Sequence, residues 1–252
     1  LTSVRRPPDD GWWEWGPIFH AVNIGKRGIT IDLGAADGVE MLHRLLQSAD
    51  VLVENYTPRV MEQFGLTWDS VHARHPALVM VRMPAFGLDG PWRDRTGFAQ
   101  TMEAVSGMAW RTGFPEGPPT LVRGACDPIA GMHTVVATLL ALMERDRSGQ
   151  GSLVESVMVE AALNVAAEQI VEYSAVGEAM RREGNRGPTG APQGVYRCRG
   201  DDCWVAIAVE SDGQWSALVR VMGRPQWAVA DDLASAAGRR SRHDLIDERL
   251  EA

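Results

Sequence analysis

Asp127 is the residue in this chain whose setting suits chemistry best. It stands in Gly124-Ala-Cys-Asp-Pro-Ile-Ala-Gly131, just ahead of the apolar stretch Met132–Arg145. Pro128 behind it suits the first positions of a helix, where a missing N–H costs nothing. Ile129 to Met143 are apolar almost all round, which predicts a buried helix. Arg145, Arg147 and Gly149 supply a cationic last turn and a stop. A carboxylate at such a helix start is expected to be ionised, fixed and partly desolvated. Two roles fit it. One is a helix N-cap. The other is a nucleophile that attacks an activated acyl group and carries it covalently. The two are compatible, because a cap's geometry also holds an attacking oxygen still.

Other groups carry weaker signals. Asn23-Ile-Gly-Lys-Arg-Gly28 sets glycines beside Lys26 and Arg27, a pattern suited to backbone approaching phosphate. Lys26 is the sole lysine, the other 24 of the 25 lysines and arginines being arginine. Trp12, Trp13 and Trp15 read as loop anchors packed on a core. His72 and His75 share a helix face without a third ligand, and Cys198 and Cys203 flank a turn without partners for zinc. His133 reads as a core histidine. The chain has no Gly-x-Ser-x-Gly elbow and no Walker loop.

The elements around these residues alternate. Ile29–Leu33 reads as a strand. Asp37–Ser48 reads as a helix with Val39, Met41, Leu42, Leu45 and Leu46 inward. Val51–Val53 and Leu78–Met83 are short apolar strands, separated by helices over Arg59–Phe64 and Trp68–Arg74. Asn55 and Phe86–Pro91 follow their carboxyl ends, where open parallel sheets bind ligands. A helix over Phe98–Met108 leads to a Gly/Pro loop, Thr112–Thr120. Beyond the central helix come a strand, Leu153–Val157, and one long helix from about Glu160 to Val176. The segment Arg181–Gly194 is rich in glycine and proline. Val195–Cys198 and Cys203–Val209 then form a hairpin, with helices over Asp212–Gly223 and from Arg239 onward. The expected fold is α/β: a Rossmann-like parallel sheet with flanking helices, plus a smaller α+β domain. The expected divisions are 1–165, a linker helix and glycine loop over 166–193, and 194–252.

Composition bounds the rest. With 252 residues and 45% hydrophobic content the chain can bury a substantial core. A net charge of −8 argues against a general nucleic-acid binder. Three cysteines are no disulfide framework, so a reducing, cytoplasmic setting is expected. No uninterrupted apolar run reaches the ~20 residues of a membrane span, so no membrane partner is expected.

In order along the chain, Asn23…Lys26-Arg27, Ala49-Asp-Val-Leu-Val-Glu-Asn55, Gly65-Leu66, Phe86-Gly…Gly90-Pro91, Ser106-Gly107, Gly117-Pro-Pro119, Asp127-Pro-Ile-Ala-Gly131, Arg147-Ser-Gly-Gln-Gly151 and Gly184-Asn185 to Pro192-Gln-Gly194 resemble the class III coenzyme A transferases. This is the CaiB/BaiF type, with its formyl-CoA, carnitine and benzylsuccinate members. The resemblance implies that Asp127 is the nucleophile, passing through an aspartyl anhydride and an aspartyl-CoA thioester as CoA moves from an acyl-CoA to a free carboxylic acid. It also implies that Asn23, Lys26, Arg27, Asn55 and Tyr56 line the CoA site and that Gly187 and Gly190 belong to a shielding loop. CoA is then a substrate, with no permanent cofactor and no metal. The family's chains extend further at both ends, so this sequence is expected to be part of a longer protein forming an interlocked homodimer. The racemase branch has a His-Asp pair where this chain has Phe98-Ala99 after Gly97, which favours transfer over racemisation; a catalytically silent CoA-binding subunit is the other alternative. Phe98, Met102 and Trp110 suggest a larger, less polar acyl group.

Overall fold

The computed structural model describes residues 16–251; Trp12, Trp13 and Trp15 lie outside them. The chain divides into two units between Ala49 and Asp50. The linker and small domain expected from the sequence both fall within the second.

In the first unit, α1 (Pro17–Asn23) starts on proline, and α2 (Ala36–Leu46) follows after an irregular segment. Ile29–Leu33, expected as a strand, is not one. A strand needs a ladder partner, and no described strand pairs with it. Helix α2 buries Gly38, His43 and Leu46, whereas Met41 and Leu45, expected inward, are exposed.

The second unit is organised by a three-stranded parallel sheet in the order β1 (Val51–Glu54), β2 (Val79–Arg82), β3 (Leu153–Glu155). Val51 pairs with Val79, and Met80 with Leu153. Central β2 is buried along its whole length, which is why Val-Met-Val runs on without polar alternation. Between β1 and β2 come α3 (Pro58–Gln63) and α4 (Trp68–Arg74). Gly65 closes α3 at φ +67, and the Thr67 side chain accepts from the Ser70 N–H to start α4.

After β2 come α5 (Ala99–Val105), α6 (Met108–Arg111) and the 23-residue α7 (Cys126–Ser148). The long helix expected after β3 is broken at Ala166 into α8 (Met158–Val165) and α9 (Ala167–Val176). Ala99 and Met102 of α5, Cys126 and Ala130 of α7, and Met158, Ala161 and Ala162 of α8 form one buried cluster. Its many small side chains let the three helices approach closely.

The expectation of a buried α7 is wrong for most of the helix. Only Cys126, Ala130 and Thr134 are buried. Met132, Val135, Val136, Leu139, Leu140 and Met143 are all exposed. By length and composition α7 is also long and apolar enough to cross a membrane, which the sequence reading did not anticipate. Apolar composition shows what a helix face could bury against, not whether a neighbour in this unit covers it.

The remainder is the expected smaller α+β part. Antiparallel β4 (Gln193–Arg197) and β5 (Trp204–Ala208) pair with Tyr196 opposite Val205. They precede α10 (Asp212–Val221), α11 (Ala236–Ser241) and α12 (His243–Glu251), the last two replacing the single helix expected from Arg239. Trp215, Val219, Leu233 and Ile246 are the heart of a second core. Fully buried Arg239 ties it together: it donates to the carbonyls of Ala191 at 2.9 Å and Leu233 at 3.1 Å and pairs with Asp212 at 2.9 Å.

Candidate active site

The site around Asp127 is built from α5. Glu103 lies one helical turn on from Ala99, on the same buried stripe as Met102, and has no solvent exposure. A buried carboxylate needs donors, and it finds them on the backbone that delivers α7. Its Oε1 accepts the N–H of Gly124 at 2.7 Å and of Ala125 at 2.8 Å, and its Oε2 accepts the N–H of Arg123 at 3.2 Å. Those N–H groups converge because Arg123 (φ +62) and Gly124 (φ +107) both take left-handed backbone. Successive N–H groups in such a turn form an anion-binding nest. A Cβ on Gly124 would meet nothing within 4 Å, so glycine serves here for its φ and not for space.

Helix α7 then begins at Cys126, with Ala125 as its N-cap and no side-chain cap. Asp127 is therefore not the N-cap that the sequence suggests. It occupies the first turn, and no described hydrogen bond or ion pair engages its carboxylate. The residue is solvent-accessible, yet surrounding protein withholds enough water to push its pKa above the ordinary aspartate value. That desolvation is the main cause and the charge of Glu103 the second. Accessible, unengaged and harder to ionise than usual, this carboxylate suits attack on an electrophile.

Neighbouring Cys126 is the obvious competitor as nucleophile. Its thiol is buried, 3.3 Å from the Met158 carbonyl, and its pKa is pushed up to about 11 by burial, then by Asp127 and Glu103. A thiol so protonated is a poor nucleophile. Thr134, two turns along α7, bonds the Ser156 hydroxyl at 2.7 Å and locks the helix to the end of β3.

At the ends of β1 and β2, Glu54 and Arg82 form a buried ion pair of 2.5 Å. Glu54 Oε2 also accepts the Tyr56 N–H at 2.8 Å, which fixes the turn bearing Asn55 and Tyr56. Asn55 is exposed and Tyr56 half-buried, with the Tyr56 pKa raised by burial and then by Glu54. Asn23, Lys26 and Arg27 belong to the first unit. Asn23 ends α1, its side-chain amide donating to the Phe19 carbonyl at 2.8 Å, and Lys26 and Arg27 follow it exposed.

Gly187 and Gly190 take a different setting from Asp127. They line a cavity of about 580 Å³ with Arg186, Tyr196, His243 and Asp247, and Asp127 is not among its lining residues. A Cβ on Gly187 or Gly190 would come within 2.7 or 2.6 Å of the Gln193 side-chain oxygen, so the two glycines wrap this side chain. Arg186 anchors the loop to α12, pairing with Asp247 at 2.5 Å and Asp244 at 2.6 Å.

Two other expectations change. His133 is exposed and not a core histidine. Met102 is fully buried against the helix cluster and lines no cleft, whereas Phe98 and Trp110 are exposed. His72 stacks on Trp68 at 4.4 Å, and among the described residues no group of three His, Cys, Asp or Glu side chains could hold a metal. The residue the sequence reading missed is Glu103. Its signal was a lone carboxylate in register with the apolar positions Ala99 and Met102.

Residues 3–252 match the family model described as CoA-transferase family III. A succinyl-CoA–D-citramalate CoA-transferase of Chloroflexus aurantiacus is 34% identical over 94% of this chain and 58% of its own length. A succinyl-CoA–L-malate CoA-transferase alpha subunit of Chloroflexus aurantiacus is 32% identical over 88% of this chain and 52% of its own. The chain thus spans little more than half the length of these curated relatives. The crystal structure of a CAIB/BAIF family protein from Brucella suis superposes with a TM-score of 0.78 at 30% identity, over 90% of this chain and 61% of that one.

Proposed function

The chain belongs to CoA-transferase family III, and from that premise we propose that the protein moves coenzyme A from an acyl-CoA to a free carboxylic acid, with Asp127 as covalent carrier. The observation that carries this reading is the Asp127 carboxylate itself: accessible, at the head of a packed helix, and engaged by no other described side chain.

In the proposed reaction an Asp127 oxygen bonds to the thioester carbonyl carbon and the C–S bond breaks with its electron pair on sulfur. This leaves an aspartyl anhydride and CoA thiolate. The thiolate attacks the aspartyl carbonyl, releasing the donor acid and leaving an aspartyl-CoA thioester. The acceptor carboxylate attacks that thioester to give a second anhydride, and the thiolate collects the acceptor acyl group. Each step trades one carboxylate for one thiolate, so no external acid or base is required. Water must be excluded, because either intermediate would hydrolyse. Lys26 and Arg27 are proposed to bind CoA phosphate, supported by their charge beside glycine, and Asn55 and Tyr56, by their place after the carboxyl end of β1, to contact CoA. The loop of Gly187 and Gly190 is proposed as the shield.

Racemisation is the less supported alternative. Two-base exchange at an α-carbon needs titratable groups, and Phe98 and Ala99 supply none at the positions where racemases of this type carry them. The relatives' names indicate the substrates to try first: succinyl-CoA as donor, with malate or citramalate as acceptor. A relative named as an alpha subunit also makes assembly with a second chain, identical or not, part of the proposal. The test is Asp127→Ala, which should abolish CoA transfer while leaving acyl-CoA binding largely intact. Retained transfer in that variant would overturn the assignment.

A further inference from the structure

We propose that Glu103 is the positioning residue of the Asp127 carboxylate: from α5 it holds the backbone that enters α7 and so presents the Asp127 oxygens, free of partners, to an acyl carbon. The inference rests on the transferase reading for its purpose and on geometry for its substance. The backbone ahead of a helix carries N–H groups without intrahelical partners, and a carboxylate that accepts several of them fixes the path by which the chain enters the helix. Here the donors of Arg123, Gly124 and Ala125 all end on Glu103. Ala125, the N-cap, has no side chain able to compete. The left-handed turn at Arg123 and Gly124, which an arginine adopts only under constraint, is pinned by those same bonds.

Glu103 does more than occupy donors. Its carboxylate is sealed from water, so its charge is weakly screened where Asp127 must ionise. The titratable groups that meet at this helix start are Glu103 on α5 and, on α7 itself, Asp127 and the Cys126 thiol, which stays protonated and uncharged. Like charge disfavours the free Asp127 carboxylate. Once the Asp127 oxygen bonds to the thioester carbon and the sulfur departs with its electron pair, the negative charge leaves Asp127 with the thiolate. The repulsion is relieved in the acylated enzyme and present in the resting one. Glu103 therefore favours the covalent intermediate by destabilising the state that precedes it.

Glu103→Gln separates charge from shape. It keeps an oxygen for the two shorter bonds from Gly124 and Ala125 and removes only the charge and the longer bond from Arg123. The readout is a carbon-13 titration of the Asp127 carboxyl in the substrate-free protein, beside the pH profile of kcat/KM and the fraction of Asp127 captured by hydroxylamine in turnover. In Glu103→Gln the Asp127 titration and the acid limb of kcat/KM should both move to lower pH, with a smaller captured fraction and a thermal midpoint close to wild type. An Asp127 titration identical in both proteins overturns the proposal, whatever the activity. Wild type that yields no capture at Asp127 while Glu103→Gln still shifts the titration leaves Glu103's placement standing and overturns the transferase reading instead.

Discussion

Glu54 and Arg82 are register partners at the carboxyl ends of β1 and β2, and their side chains meet at 2.5 Å, both nearly sealed from water. The pair secures the sheet edge at which the chain turns into Asn55 and Tyr56. A buried pair broken on one side leaves an uncompensated charge, at a cost of about 3–5 kcal/mol. Arg82→Met should therefore lower stability by about that amount in chemical denaturation. The double variant Glu54→Gln/Arg82→Met should recover much of the loss. A single variant as stable as wild type would show that the pair contributes nothing.

Cys126 should be silent to thiol reagents. Its thiol is buried with a pKa near 11, whereas Cys198 and Cys203 are exposed and free. Titration of the folded protein with a chromogenic disulfide at pH 8 should modify Cys198 and Cys203 quickly, and Cys126 only after denaturation. Rapid modification of Cys126, with loss of activity, would make it a rival nucleophile to Asp127.

His243 predicts a loss of stability in acid. Burial is the main reason its pKa lies below the ordinary 6.5, with Arg186 adding to it and Asp247 opposing it. In the fold its Nε2 accepts the Gln193 N–H at 2.9 Å, which only a neutral ring can do. Protons thus bind more readily to the unfolded chain: the contribution is intact above about pH 6.5 and is lost as pH falls through the depressed folded value. Denaturation midpoints measured down to pH 5 should fall more steeply for wild type than for His243→Gln. Parallel curves would refute this assignment.

The sheet was the most legible part of the chain. Val51–Val53 and Leu78–Met83 are short apolar runs bounded by turns, and the structure places them side by side in parallel. Burial was legible only where a partner lay within the unit. Cys126, Ala130 and Thr134 face α8 and β3, but the equally apolar Leu139 and Met143 face outward. Ile29–Leu33 alternates like a strand yet has no ladder to join. The Asp127 cap failed for a related reason: a local pattern reports which side chain could cap, whereas the helix begins one residue earlier, at Cys126, on backbone that Glu103 holds from 20 or more residues away. A buried carboxylate on a helix reads from sequence as one more solvated charge, until the backbone that surrounds it is known.

Because Asp127 caps nothing, replacing it should be mild for the fold. Asp127→Asn removes the opposition to Glu103 and should change stability by no more than about 0.5 kcal/mol, in contrast to the loss of about 0.5–2 kcal/mol that a true N-cap would show. Denaturation of this variant beside wild type checks the point, and a loss of cap size would restore Asp127 to a structural role.

In the proposed reaction an acyl group becomes bonded to the Asp127 side chain. The direct measurement is to quench the full-length protein with hydroxylamine during turnover on succinyl-CoA and a carboxylic acid acceptor, then map the modified residue by peptide mass spectrometry. A hydroxamate at Asp127, dependent on acyl-CoA and absent from Asp127→Asn, is the predicted result. Sustained transfer with Asp127 unmodified, or a hydroxamate on another carboxylate, would contradict it.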